Sequence, residues 1–110
     1  MRPDTHFEIE FETSESSDRV VAQLQNAADV LAFAKSKLRP GSELLVACLG
    51  HGTDYGNLIF AFDASGSVSL RALEHSGFAV HGVSKEQALE ALEYWLPAQE
   101  RLPSLEWAEE

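Results

Sequence analysis

The chain is poor in the residues that build most catalytic and metal centres. It has one cysteine, Cys48, among 110 residues, so no disulfide can close within it. Cys48 sits in the apolar run ELLVACLG, where a thiol behaves as a small core residue. His6, His51, His75 and His81 are scattered, and none falls in an H-x-H or H-E-x-x-H spacing. No G-x-S-x-G nucleophile turn and no phosphate loop occur. No metal, no cofactor and no enzymatic activity are therefore expected. No apolar stretch approaches the roughly 18 residues of a membrane helix. MRPDTHFEIEFE lacks an apolar h-region, so a cytoplasmic protein is the expectation. Bases are scarce as well: 8 Lys and Arg stand against 18 Asp and Glu, a net charge of −10. That balance repels phosphate backbones and anionic membranes and attracts basic partners.

What is present is a patterned, apolar-rich chain of one domain's length, with 45% hydrophobic residues. FEIEFE alternates, placing Phe7, Ile9 and Phe11 on one side and Glu8, Glu10 and Glu12 on the other, as in a strand with one wet face. TSESSD reads as a turn, and RVVAQLQ as a second strand with Val20, Ala22 and Leu24 aligned. Asn26 is placed to cap a helix over Ala27–Leu38. A single long helix over Asp18–Leu38 competes with this strand-plus-helix reading. Pro40 and Gly41 then break the chain. ELLVACLG reads as a strand, HGTDYGN as a connecting loop, LIFAFDASGSVSLRAL as two strands around DASG, and GFAVHG as a short last strand. Ser84 with Gln87 forms a capping box for a second helix, whose apolar face holds Ala88, Leu89, Ala91, Leu92, Trp95 and Leu96. The order predicts an α+β fold over residues 1–110, a mostly antiparallel sheet with two helices packed on it.

The carboxylates are the strongest signal for function. Glu8, Glu10 and Glu12 stand about 7 Å apart along one strand face. Glu86, Glu90 and Glu93 fall within about 60° on a helical wheel. Such rows protect strand edges and solvate helix faces, and they also dock clusters of Lys and Arg. His51 with Asp54 in GHGTDYG is the best place for an enzymatic site, on a Gly-rich loop; the alternative is a plain connector. Asp54 and Tyr55 on that loop are further contact candidates.

The ending SKEQALEALEYWLPAQERLPSLEWAEE resembles the C-terminal signature of a bacterial immunity-protein family, Immunity protein 1. There an Ala/Leu-rich helix ends in an aromatic-leucine pair, here Trp95-Leu96. A polar stretch, a proline and a tryptophan among acids follow, here Pro103 and Trp107-Ala108-Glu109. QNAADVLAFAKSKL followed by ELLVACLG is similar to the family's early helix-to-strand passage. The resemblance implies a cytoplasmic inhibitor of a cognate secreted toxin, often a basic nuclease or nucleic-acid deaminase, and no reaction of its own. Residues 103–110 would then pack on the body, with Trp107, Trp95 and Pro103 as structural anchors. The toxin would meet Glu8, Glu10, Glu12, Asp54, Tyr55, Glu86, Glu90 and Glu93, and the free protein would be a monomer. A small acidic chaperone or adaptor for a secreted effector is the alternative, and it would show a broad apolar groove and dimerise.

Overall fold

Alternation of apolar and acidic residues produces β1 (His6–Thr13), which buries Phe7, Ile9 and Phe11 and exposes Glu8, Glu10 and Glu12. The structure, a computed structural model, describes residues 5–14, 19–73 and 76–110. β2 (Arg19–Leu24) pairs antiparallel with β1, Phe11 opposite Val20 and Phe7 opposite Leu24. Most of the TSESSD segment between them lies outside the described residues, as does His75. α1 (Ala27–Lys37) begins where Asn26 Oδ1 accepts the Asp29 N–H at 2.9 Å. One helix over Asp18–Leu38 is thereby replaced by strand and helix. Val20, Ala22 and Leu24 share the face of β1 that carries Phe7, Ile9 and Phe11, a placement that extended backbone allows.

β3 (Ser42–Gly50) pairs with the other side of β1, so α1 crosses over β1 to reach it. β4 (Thr53–Phe62), β5 (Val68–Leu73) and β6 (Gly77–Val83) follow as antiparallel neighbours. α2 (Lys85–Trp95) precedes a last strand, β7 (Ala108–Glu109), which pairs with β6. The result is one seven-stranded antiparallel sheet in the order β2-β1-β3-β4-β5-β6-β7, an α+β domain. α1 packs on β1 and β2, α2 packs on β5, and the helices touch each other, so they cover one face. Beneath them lie Ile9, Val46, Leu58, Phe60, Leu70 and the helical Val30 and Leu92, all buried. Each such side chain stabilises the fold by roughly 1.5–3 kcal/mol through area removed from water. Cys48 is buried in the same cluster.

The loop expected at HGTDYGN is mostly strand. His51 and Gly52 take positive φ of 51° and 73°, the backbone that a two-residue hairpin turn needs, and Gly50 pairs with Thr53 across it. The remaining turn-forming residues build a bulge. Leu49 pairs with Asp54 and Cys48 with Gly56, which leaves Tyr55 as the extra residue. Gly56 has φ 145°, and its N–H is held by Asp54 Oδ1 at 2.9 Å. DASG does form the expected turn. Asp63 Oδ1 accepts the Ser65 hydroxyl at 2.6 Å and the N–H groups of Ser65 and Ser67 at 2.9 and 3.1 Å. These bonds, the Ser65 hydroxyl first, hold its carboxyl below the ordinary 3.8.

Candidate functional site

α2 owes its position to its start. Ser84 Oγ accepts the Gln87 N–H at 3.1 Å, and Gln87 Oε1 accepts the Ser84 N–H at 2.9 Å, which completes a capping box. Ala88, Ala91, Leu92 and Trp95 are buried on the sheet side. The opposite side therefore presents Glu86, Glu90 and Glu93 to solvent. Glu86 lies in the first turn, where the helix dipole favours an anion. Glu93 lies at the other end, where it is disfavoured, and the last turn holds no base.

The chain then turns back along α2. Gln99 takes φ 56°, donates its backbone N–H to Trp95 O at 2.6 Å and its side-chain amide to Leu96 O at 2.8 Å. The helix end is capped in this way by a buried glutamine. Leu102 is buried, and Leu105 N–H returns to Leu102 O at 3.2 Å, so Pro103 sits in a turn. Pro103 itself is exposed and shapes the turn; it does not pack as an anchor. Trp107 is half-buried against the core cluster, and its indole Nε1 donates to Leu102 O at 2.9 Å. Trp95 is 1% exposed, fully inside the core. The Arg101 guanidinium stacks over the Phe78 ring at 3.5 Å, and Glu110 Oε1 accepts from Arg71 Nε at 3.0 Å. The tail is thus pinned by a strand, an indole bond, a stacked cation and an ion pair.

Between α2 and the returning chain lies a groove of about 720 Å³. Leu89, Tyr94, Pro97, Ala98 and Leu102 form its apolar lining, and Glu86, Glu90, Glu93 and Glu100 its carboxylates. Tyr94 is 42% exposed. None of the four glutamates has an ion pair among the described residues. An apolar floor with an accessible aromatic and an anionic rim can receive a segment that is apolar along one side and basic along the other. Glu100 and the floor were not legible in the sequence, because Pro97, Ala98, Glu100 and Leu102 follow the helix and meet its exposed face only through the turn at Gln99.

The β1 row lies elsewhere, on the sheet face that the helices leave open. Arg19 Nη2 donates to Glu10 Oε1 at 2.9 Å. Glu8 and Glu12 have no ion pair among the described residues, and Glu12 stands directly opposite Glu43. Leu45 is the β3 partner of Glu10, and Ile59 the β4 partner of Leu45, so an apolar strip flanks the row. A cavity of about 130 Å³ lies beside Glu10 and Glu12, and a wider one of about 510 Å³, lined by Glu12, Glu43 and Asp63 among others, opens at the end of the row.

Asp54 and Tyr55 join neither surface. The Asp54 carboxylate closes the bulge, with Oδ2 also accepting Asn57 Nδ2 at 3.3 Å. Tyr55 is half-buried against the core cluster. His51 sits at the tip of the hairpin turn, where its backbone conformation sets the chain's reversal. Among the described residues no three His, Cys, Asp or Glu side chains gather as a metal-binding group. No helix of the described residues is long and apolar enough to cross a membrane. Compared with protein-family models, curated proteins and solved structures, the chain has no significant match.

Proposed function

We propose that this protein is an immunity protein, which binds a cognate basic toxin domain and blocks its active site or substrate groove. The observation that carries the reading is the α2 groove, with carboxylates that have no ion pair among the described residues around an apolar floor. Glu86 and Glu90 are one turn apart, as like charges at i and i+4, and Glu93 opposes the helix dipole. These placements cost folding stability of a few tenths of a kcal/mol each. A cost of that kind is offset when a cationic partner supplies the missing charges. Tyr94 would be the packed anchor, and the carboxylates would speed encounter and fix orientation. The toxin's activity, as nuclease or deaminase, rests on the resemblance of the C-terminal stretch alone.

Co-expression tests the reading. The product of the neighbouring upstream gene should arrest growth when expressed alone, and this protein should restore growth and co-purify with it. The apolar floor also favours a second reading, a chaperone for a secreted effector. A neighbour that co-purifies but is harmless alone, and that fails to be secreted without this protein, would establish the chaperone instead.

A further inference from the structure

The groove beside α2 has a direction. Its helical side consists of Glu86, Leu89, Glu90, Glu93, Tyr94 and Pro97, at intervals of three, one, three, one and three residues. Residues so spaced share one face of a helix, so the groove runs along α2 and not across it. From Glu86 to Pro97 it extends about 16 Å, at a rise near 1.5 Å per residue. Ala98, Glu100 and Leu102 of the returning chain form its other side. A cleft of that shape and length takes an elongated object, about three turns of helix.

The lining decides the conformation of what enters. The backbone of α2 is hydrogen-bonded within the helix, and the Gln99 N–H and side-chain amide take up Trp95 O and Leu96 O at its end. Leu102 O accepts from Leu105 N–H and Trp107 Nε1. No lining residue belongs to a strand. An extended segment laid on this floor would find no ladder to join, and would press its own N–H and C=O groups against apolar side chains. A helix satisfies those groups internally and presents only side chains. The charges decide its sign. Glu86, Glu90, Glu93 and Glu100 have no ion pair among the described residues. The nearest bases in the chain are directed elsewhere: Lys85 Nζ donates to Lys35 O at 3.3 Å, and the Arg101 guanidinium stacks over Phe78.

We infer that the groove seats a basic amphipathic helix of the partner, antiparallel to α2. The inference rests on the reading of this groove as the partner's seat, and it names the element that fills it. Direction follows from the charges. Glu93 and Glu100 lie toward the C-terminal end of α2, whose last turn holds no base, so the positive N-terminal end of the incoming helix belongs there. Spacing follows as well. Read from that end, Glu93, Glu90 and Glu86 are separated by three and then four residues, so bases at i, i+3 and i+7 of the incoming helix meet them in turn. Large apolar residues beside that row of bases pack on Leu89, Tyr94 and Leu102. Tyr94, one of the few large apolar side chains exposed among the described residues, is then covered.

Two synthetic peptides of about 15 residues, identical in their content of Ala, Leu and Lys, test it against the purified full-length chain. In one, Lys at i, i+3 and i+7 lies beside a stripe of Leu at helical spacing. In the other, Lys and Leu alternate, so that they segregate only in a strand. By titration calorimetry the helical-period peptide should bind about ten-fold or more tighter than the alternating one, and circular dichroism should show it gaining helix on binding. Changing Glu86, Glu90 and Glu93 to Gln, or Tyr94→Ala alone, should weaken that binding by about ten-fold or more, with the free variant's spectrum unchanged. Changing Glu8, Glu10 and Glu12 to Gln should leave it close to wild type. Equal binding of the two peptides, binding without added helix, no binding, or equal losses in the two triple variants overturns the inference. None of these readouts uses the toxin. Absence of the helical preference with growth rescue intact therefore overturns the helical seat and leaves the immunity reading standing. The preference with failed rescue supports the seat and overturns the immunity reading.

Discussion

The two rows of glutamate, on β1 and on α2, look alike in sequence and sit on different ground. Glu10 on β1 has Arg19 beside it, and the row borders cavities of about 130 and 510 Å³, neither lined by an exposed aromatic side chain. The α2 row has no base in its last turn and borders a groove of about 720 Å³ with an exposed tyrosine. On the proposed reading the α2 row, which has no ion pair among the described residues and borders an apolar floor with an exposed tyrosine, serves recognition, and the β1 row serves solubility. Glu12 faces Glu43 directly across the ladder on one side and the cationic Arg19 of β2 on the other.

The largest expected effect comes from removing the chain that holds the groove wall. Deleting residues 103–110 takes away Trp107, its bond to Leu102 O, strand β7 and the Arg71–Glu110 pair. Loss of the partly buried aromatic alone should destabilise by roughly 1.5–3 kcal/mol. Thermal melting should fall by about 6–20 °C. Partner binding should fall with it. Full binding by the truncated protein at a temperature where it remains folded would detach the groove from function.

A smaller change of opposite sign sharpens the comparison. Glu90→Gln with Glu93→Gln relieves like-charge crowding and the unfavourable dipole contact, and should raise stability by about 0.5–1 kcal/mol. Glu10→Gln, which loses its Arg19 partner, should leave stability nearly unchanged, since exposed pairs contribute about 0–1 kcal/mol. Denaturant titration of the two variants measures both. Equal effects would mean that the α2 row is no more strained than the β1 row.

Much of this was legible in the sequence, and the exceptions share a cause. Strict alternation in FEIEFE fixed which residues of β1 face inward, because a one-residue slip would expose Phe7, Ile9 and Phe11. The Ser84–Gln87 box and the spacing of Ala88, Ala91, Leu92 and Trp95 placed α2 and its buried face. β7 was not legible, because two residues have no period. HGTDYGN misled because Gly, Asn and Asp mark loops in general, whereas here Gly52 makes a tight turn and Asp54 and Gly56 a bulge inside a continuous hairpin. The groove depends on Gln99 adopting a left-handed backbone that glycine adopts more readily, so no residue type announced it. Both glutamate rows were visible; what lies next to each was not.

The smallest expected effect lies outside both rows and serves as a control. The folded-state pKa of Asp63 is lowered by bonds to its carboxylate, so its contribution to stability is present above the ordinary 3.8 and lost as pH falls through the lowered value. Asp63→Ala should lower the melting temperature slightly near neutral pH. The difference from wild type should vanish in strong acid. Partner binding through the α2 groove should stay unchanged, as Asp63 does not line it; Asp63 lines instead the cavity of about 510 Å³ at the end of the β1 row.

The central claim is that the α2 row, and not the β1 row, meets the partner. It is tested most directly by measuring association kinetics of the upstream gene product with two triple variants over a salt series. With Glu86, Glu90 and Glu93 changed to Gln, association should slow by about ten-fold or more at low ionic strength and lose most of its salt dependence, because exposed charges steer only within a screening length of about 8–10 Å. With Glu8, Glu10 and Glu12 changed to Gln, both quantities should stay close to wild type. The reverse pattern, a slow and salt-insensitive β1 variant beside an unaffected α2 variant, would contradict the account and move the interface to the open face of the sheet.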